Sequence, residues 1–268
     1  VRVVDVFPDL LGTYGDGGNA VVLAQRLRWR GMGAEVVRAP SGSPVPASAD
    51  IYCLGGGEDG PQAQAAAALA EDGSLARAVA GGAVVLAVCA GFQIVGATFA
   101  GADGRPRAGV GLIDVASRRG TGRRAVGEIL VEAPEMGGLL TGYENHGGVT
   151  ELGPGVAPLG RVLAGVGNGT GGATEGAVAG RVVATYLHGP VLARNPALAD
   201  HLLEMVVGPL PALADPDVEE LRSERLAALG RGWRRRQRTA SGGAGEGRRH
   251  GGRGVPLAPR RGDHLEAR

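Results

Sequence analysis

Cys89 ends the apolar run Ala83-Val84-Val85-Leu86-Ala87-Val88 and is followed at once by Ala90-Gly91-Phe92-Gln93. That order predicts a buried strand meeting a helix at the cysteine. On such an elbow the side chain projects from the end of the sheet, and the positive end of the helix dipole favours thiolate over thiol. A thiolate so held is a nucleophile for acyl transfer, and Gly91 leaves room for the close approach of helix and strand. On this segment alone an inert, buried thiol is an equal reading, since free cysteines are among the most buried side chains. Cys53 illustrates that case: it sits inside Ile51-Tyr52-Cys53-Leu54 with no elbow after it, and is predicted to be core.

A thiolate attacking an amide needs a proton donor for the leaving amine and N–H donors for the developing oxyanion. Among the five histidines, His250 and His264 fall near the end of the chain and His201 lies in a helical pattern. His188 follows the apolar strand Val182 to Leu187 and precedes Gly189-Pro190. His146 lies in Tyr143-Glu144-Asn145-His146-Gly147-Gly148, which reads as a second site loop. Gly55-Gly56-Gly57 ends a strand, and the Gly56 backbone together with the Ala90 N–H forms a candidate oxyanion hole. Gln93 is a further candidate for substrate contact. The glycines match neither GxxxxGK[ST] nor GxGxxG, and the chain contains no lysine, so a P-loop ATPase is excluded.

The elements needed to position these groups follow from hydrophobic patterning. Strands at 2–7, 34–38, 50–54 and 83–88 alternate with helices at 19–29, 61–79 and from Ala90, which predicts βαβ units and a parallel sheet covered on both faces. Past residue 109 short β-like pieces (111–115, 126–131, 149–152, 173–178 and 181–186) suggest antiparallel strands added to the sheet. Helices are predicted at 195–207, with Pro196 in its first turn, and at 215–229. Two domains' worth of organisation results: 1–230 folded, and 231–268 an Arg/Gly-rich tail with too few large apolar residues to offset the entropy of ordering it.

The 268 residues carry a formal net charge of +1, so no global field draws the chain to nucleic acid. No apolar run reaches the roughly 18 residues of a membrane span, and VRVVDVFPDL lacks the layout of a signal peptide, so a cytoplasmic location is expected. No Cys/His spacing suits a metal.

Taken in order, Pro8 to Asn19 (PDLLGTYGDGGN), Gly55-Gly56-Gly57-Glu58-Asp59, Val88 to Gln93, Tyr143 to His146, Gly167-Asn168-Gly169 and Tyr186 to Pro190 resemble the cobyric-acid-synthase-like glutamine amidotransferases over residues 2–228. The resemblance implies an α/β, flavodoxin-like class I amidotransferase domain that hydrolyses L-glutamine to glutamate and ammonia. It implies Cys89 as nucleophile, His188 as general acid/base and Arg124 as the residue holding the substrate carboxylate, with Arg123 the alternative one position away. It also implies a heterodimer with a MurT-like Mur ligase subunit, which binds ATP and Mg²⁺ and amidates the D-glutamate α-carboxyl of the lipid II stem peptide; no cofactor is expected in this chain. Amidation of a corrinoid side chain, or a silent scaffold role, are the alternatives. One departure stands out: two residues after His188, where class I glutaminases carry a glutamate, this sequence has Pro190. The group orienting His188 is then expected to be Glu144, the backbone, or an acid from the partner.

Overall fold

Every parallel strand of the central sheet carries apolar side chains on both faces, which requires helices above and below it. The structure, a computed structural model, describes residues 1–242, with side chains described to residue 229. Strands β1 (Arg2–Val6), β2 (Glu35–Ala39), β3 (Ile51–Leu54) and β4 (Val84–Val88) follow the predicted pattern, and all residues of β3 and β4 are buried. Between them run helices α1 (Gly18–Trp29), α2 (Asp59–Asp72) and α3 (Ser74–Ala80). The single helix predicted over 61–79 is thus two. Gly73 adopts φ +63°, a left-handed turn that ends α2 and that glycine enters without a Cβ penalty.

Helix α4 (Ala90–Val95) leaves the end of β4 and leads to β5 (Thr98–Ala100), β6 (Pro106–Ala108), β7 (Val115–Arg119), β8 (Ala125–Ala133), β9 (Gly138–His146), β10 (Gly148–Leu152), β11 (Gly160–Ala164), β12 (Thr174–Glu175), β13 (Ala177–Ala179) and β14 (Val182–Thr185). Most of these strands do not extend the central sheet, contrary to the expectation. They form two further four-stranded sheets, ordered β10-β7-β5-β6 and β12-β11-β8-β9, and only β13 adds an antiparallel edge to the main one. Segment 143–146, predicted to be a loop, is the end of β9, paired with β8 along its whole length. Its polar side chains hid the alternation that would have revealed a strand.

The central sheet has the order β13-β14-β4-β3-β1-β2, with β14, β4, β3, β1 and β2 mutually parallel. This is the flavodoxin-like order, in which ligand sites form beyond the carboxyl ends of the strands where the winding reverses. The loops after β1, β3, β4 and β14 therefore meet at one end. They carry Asp16, Gly55 to Gly57, Cys89 and His188.

Helices α5 (Val191–Arg194), α6 (Pro196–Val207) and α7 (Pro216–Gly242) complete the described elements. Residues 1–229 form one compact unit. Helix α7 continues past the expected boundary at 231, because Arg, Gln and Ala in residues 231–242 favour helix even where few large apolar residues are present. The rest of the expected tail, 243–268, lies outside the described residues. No described helix is long and apolar enough to cross a membrane.

Candidate active site

Cys89 stands at the junction of β4 and α4 with φ 53° and ψ −101°, a conformation that L residues rarely adopt. It is held there from both sides: its N–H donates to the Thr185 carbonyl at 2.8 Å, and its own carbonyl accepts from Gln93 N at 3.1 Å. A Cβ at Gly91 would stand 2.7 Å from the Leu54 carbonyl oxygen, so only glycine lets α4 start this close to β3. The predicted elbow is present. Cys53 sits on β3 between β1 and β4, and burial pushes its thiol pKa far up.

His188 follows β14 and is fixed through its backbone by β9: Tyr143 N–H donates to the His188 carbonyl at 3.0 Å, and His188 N–H donates to the Tyr143 carbonyl at 2.9 Å. Its ring is buried beside Cys89 and under the ring of Tyr14, with centroids 4.5 Å apart. Nδ1 lies 2.9 Å from Asp16 Oδ2, while Nε2 is buried without a hydrogen-bond partner. Burial opposes the charged ring, but the Asp16 carboxylate bonded to Nδ1 and the neighbouring Cys89 outweigh it and raise the pKa to about 9.

Glu144 does not orient His188. Its carboxylate accepts from Val166 N–H and Gly167 N–H at 2.9 and 3.0 Å, and it lies 3.9 Å from His146 Nε2. The nitrogen of His188 that an orienting acid would occupy is taken by Asp16, from a loop 172 residues earlier in the chain. Nothing local in the sequence joined the two residues. The usable signal was positional: a carboxylate just past β1 in a parallel sheet shares the carboxyl end with the β4 elbow.

A cleft of about 260 Å³ opens beside Cys89, walled by Gly57, Ala90, Gln93, Arg124, Asn145 and His146 among others. Gly56 differs from expectation. Its N–H donates to Asp16 Oδ2 at 2.9 Å and is therefore spent, and the next peptide, Gly57, is the one that reaches the cleft. Ala90 opens α4, so its N–H has no partner within that helix. Gly57 and Ala90 both border the cleft.

Arg124 borders the same cleft, whereas Arg123 lines a neighbouring cavity that excludes Cys89. Two bonds to Asn145 hold the Arg124 guanidinium, Nε to Oδ1 at 2.6 Å and Nη2 to the carbonyl at 3.0 Å. Asn145 in turn donates to Tyr14 OH at 3.2 Å. Gln93 reaches the cleft, but its amide is bonded at both ends, to Tyr186 OH at 3.1 Å and from Gln62 Nε2 at 2.9 Å. It is a wall residue held by the core. His146 Nδ1–H donates to the Gly148 carbonyl at 3.0 Å and the ring stacks on Tyr186 at 3.8 Å, away from the pairing that His188 makes. Asp59, also on the wall, pairs with Arg119 at 3.2 Å.

Residues 2–196 match the profile of the CobB/CobQ-like glutamine amidotransferase domain. The chain is similar to a Staphylococcus aureus (strain N315) protein named lipid II isoglutaminyl synthase (glutamine-hydrolyzing) subunit GatD, with 35% identity over 198 residues, 73% of this chain and 80% of the relative. The protein of the same name from Streptococcus pneumoniae (strain R6) is 31% identical over 205 residues, 76% and 79% of the two chains. A cobyric acid synthase of Sphingopyxis alaskensis is 31% identical over 186 residues, which span 65% of this chain and 35% of that protein. A solved glutamine amidotransferase shares the fold, with a TM-score of 0.53 and 24% identity, over 76% of this chain and 98% of its own.

Proposed function

The chain belongs to the CobB/CobQ-like glutamine amidotransferase family, and on that premise we propose that it is the glutamine-hydrolysing subunit of a lipid II isoglutaminyl synthase. It converts L-glutamine to glutamate and ammonia. The partner subunit is a MurT-like Mur ligase that binds ATP and Mg²⁺ and uses the ammonia to amidate the D-glutamate α-carboxyl of the lipid II stem peptide. ATP-dependent ligation of that precursor assigns the complex to the cytoplasm. The observation that carries this reading is Cys89 on a strained elbow beside His188, at a cleft edged by Arg124.

In the reaction, the Arg124 guanidinium holds the α-carboxylate of glutamine, and Asp59 offers the α-ammonium a counter-charge. The side-chain carboxamide then lies against Cys89. The thiolate sulfur forms a bond to the amide carbon, and the carbonyl π pair moves onto oxygen, where the N–H groups of Gly57 and Ala90 receive it. The intermediate collapses by breaking the C–N bond, and the leaving nitrogen takes a proton from His188 to depart as ammonia. Water then adds to the γ-glutamyl thioester while His188 takes its proton. The C–S bond breaks with its electron pair on sulfur, restoring the thiolate, and the γ-carboxyl loses its proton to solvent as glutamate leaves.

Coverage favours this acceptor over a corrinoid. The aligned region spans about four-fifths of each lipid II subunit but about a third of the cobyric acid synthase. A silent scaffold is disfavoured by a buried imidazole bonded to Asp16 and set beside a cysteine on a strained elbow. The test uses the complex with its ligase. Cys89→Ala should abolish glutamine hydrolysis and glutamine-dependent amidation with an unchanged circular dichroism spectrum, while ammonium chloride still supports amidation. Glutamine-dependent amidation that survives Cys89→Ala would overturn the proposal.

A further inference from the structure

Strand pairing places Asn145 against Arg124. Asn145 lies opposite Val126 in the β8–β9 ladder, and Arg124, two positions before Val126, shares that face as a diagonal neighbour. Glu144 and His146, which alternate with Asn145 along β9, are buried. Asn145 Oδ1 accepts from Arg124 Nε at 2.6 Å, its carbonyl accepts from Arg124 Nη2 at 3.0 Å, and its Nδ2 donates to Tyr14 OH at 3.2 Å. A guanidinium can only donate, so the amide oxygen must face Arg124 and the amide nitrogen must face Tyr14. The Tyr14 hydroxyl lies 3.5 Å from Glu58 Oε1, and its ring packs on His188.

Both bonds to Arg124 fall on one edge of the guanidinium, that of Nε and Nη2. The opposite edge, which carries Nη1, is the one left to fork onto a carboxylate. An acid at this position would hold the same edge, but it would also cancel the charge that draws an anionic ligand. It could not donate to Tyr14 either. The neutral amide holds the guanidinium and leaves its charge uncompensated.

Resting on the glutaminase reading, we propose that Asn145 is a positioning residue for substrate recognition. It turns Arg124 so that the Nη1 edge meets the α-carboxylate of glutamine, and it keeps the charge of Arg124 for that carboxylate. Through Tyr14 it also ties the recognition end of the cleft to the ring that covers His188.

The isosteric change Asn145→Asp is the sharp test, because a residue needed only to hold Arg124 in place would tolerate it. In the complex, Asn145→Asp should raise KM for glutamine about tenfold or more with kcat nearly unchanged, and Asn145→Ala should raise it about 3- to 10-fold. Tyr14→Phe should raise KM about threefold in the wild type and cost nothing further in Asn145→Ala, since the bond it removes is already gone.

Two thiol reagents give a readout that does not need turnover. The diazoketone analogue of L-glutamine carries an α-carboxylate, whereas iodoacetamide does not, and both alkylate Cys89. Asn145→Asp should slow inactivation by the analogue about tenfold or more and leave the iodoacetamide rate as in the wild type. Equal slowing by both reagents would mean a general disturbance of the site and would overturn the inference, as would a wild-type KM in Asn145→Asp. If Asn145→Asp does not fold, the same ratio of rates in Asn145→Ala decides, with the same two outcomes. Failure of the glutaminase reading looks different: the wild-type complex itself would release no ammonia from glutamine, which overturns both.

Discussion

His188 Cε1 lies 2.7 Å from where a Cβ on Gly56 would stand, and Tyr14 Cδ2 lies at 3.0 Å. Gly56→Ala should therefore displace the imidazole and lower the glutaminase rate at least about 100-fold, the scale of losing general acid–base catalysis. Gly60→Ala, where a Cβ meets nothing within 4 Å, is the control and should keep the wild-type rate. Arg124 and Arg123 are separated by one position and by which cavity they line. A charge-assisted hydrogen bond is worth about 1.5–3 kcal/mol, so Arg124→Ala should raise KM for glutamine by about 10- to 100-fold, and Arg123→Ala by less than about twofold. Steady-state kinetics of the two single variants separates them. The Cys89 elbow was legible because an apolar strand and a small-residue turn are contiguous. That the Gly56 N–H is taken was not legible, because its partner is a carboxylate 40 residues away in the chain.

At the scale of elements, β12 and β14 are tied by a buried carboxylate that the reaction does not use. Glu175 Oε1 accepts from Thr185 Oγ1 and Tyr186 N–H, each at 2.7 Å, and Thr185 O accepts from Cys89 N–H. Glu175 therefore braces the strand end from which both Cys89 and His188 are held. Burial raises its pKa to about 7, against the lowering effect of those same hydrogen bonds. Because the folded value lies above the ordinary one, the group favours the folded state most below about pH 4.5. That contribution is lost as pH rises through about 7, at up to about 1.4 kcal/mol per pH unit. Glu175→Gln does not titrate, so its melting temperature should vary less between pH 5 and pH 8 than that of the wild type, as differential scanning calorimetry would measure. His188 adds a slope of the same sign at higher pH, since its raised value makes the charged ring a stabilising group that fades through about pH 9. The strand β9 that holds His188 by its backbone was read as a loop in the sequence. Its pairing with β8, residue by residue from Ala125↔His146 to Ala133↔Gly138, is a property of two segments together.

The whole molecule protects one thiol and presents the other. Cys53 lies inside the six-stranded sheet with its pKa pushed up by burial, while Cys89 lines the cleft. Iodoacetamide should therefore modify the native chain once, at Cys89. Cys53 should react only in step with global unfolding, at the same denaturant midpoint as the loss of helical circular dichroism. Modification of Cys53 well below that midpoint would mean that β3 opens separately from the rest of the sheet.

From the sequence by itself came the alternation of strand and helix, the elbow at Cys89 and the candidacy of His188, because each is written in contiguous residues or in motifs that follow one another in order. The contact between Asp16 and His188 came only with the tertiary structure. Asp16 and His188 are 172 residues apart, and the periodicity of neither segment encodes the other. They meet because a parallel sheet of order β14-β4-β3-β1 brings the ends of its strands to a single edge, so a loop after the first strand can reach the histidine after the last.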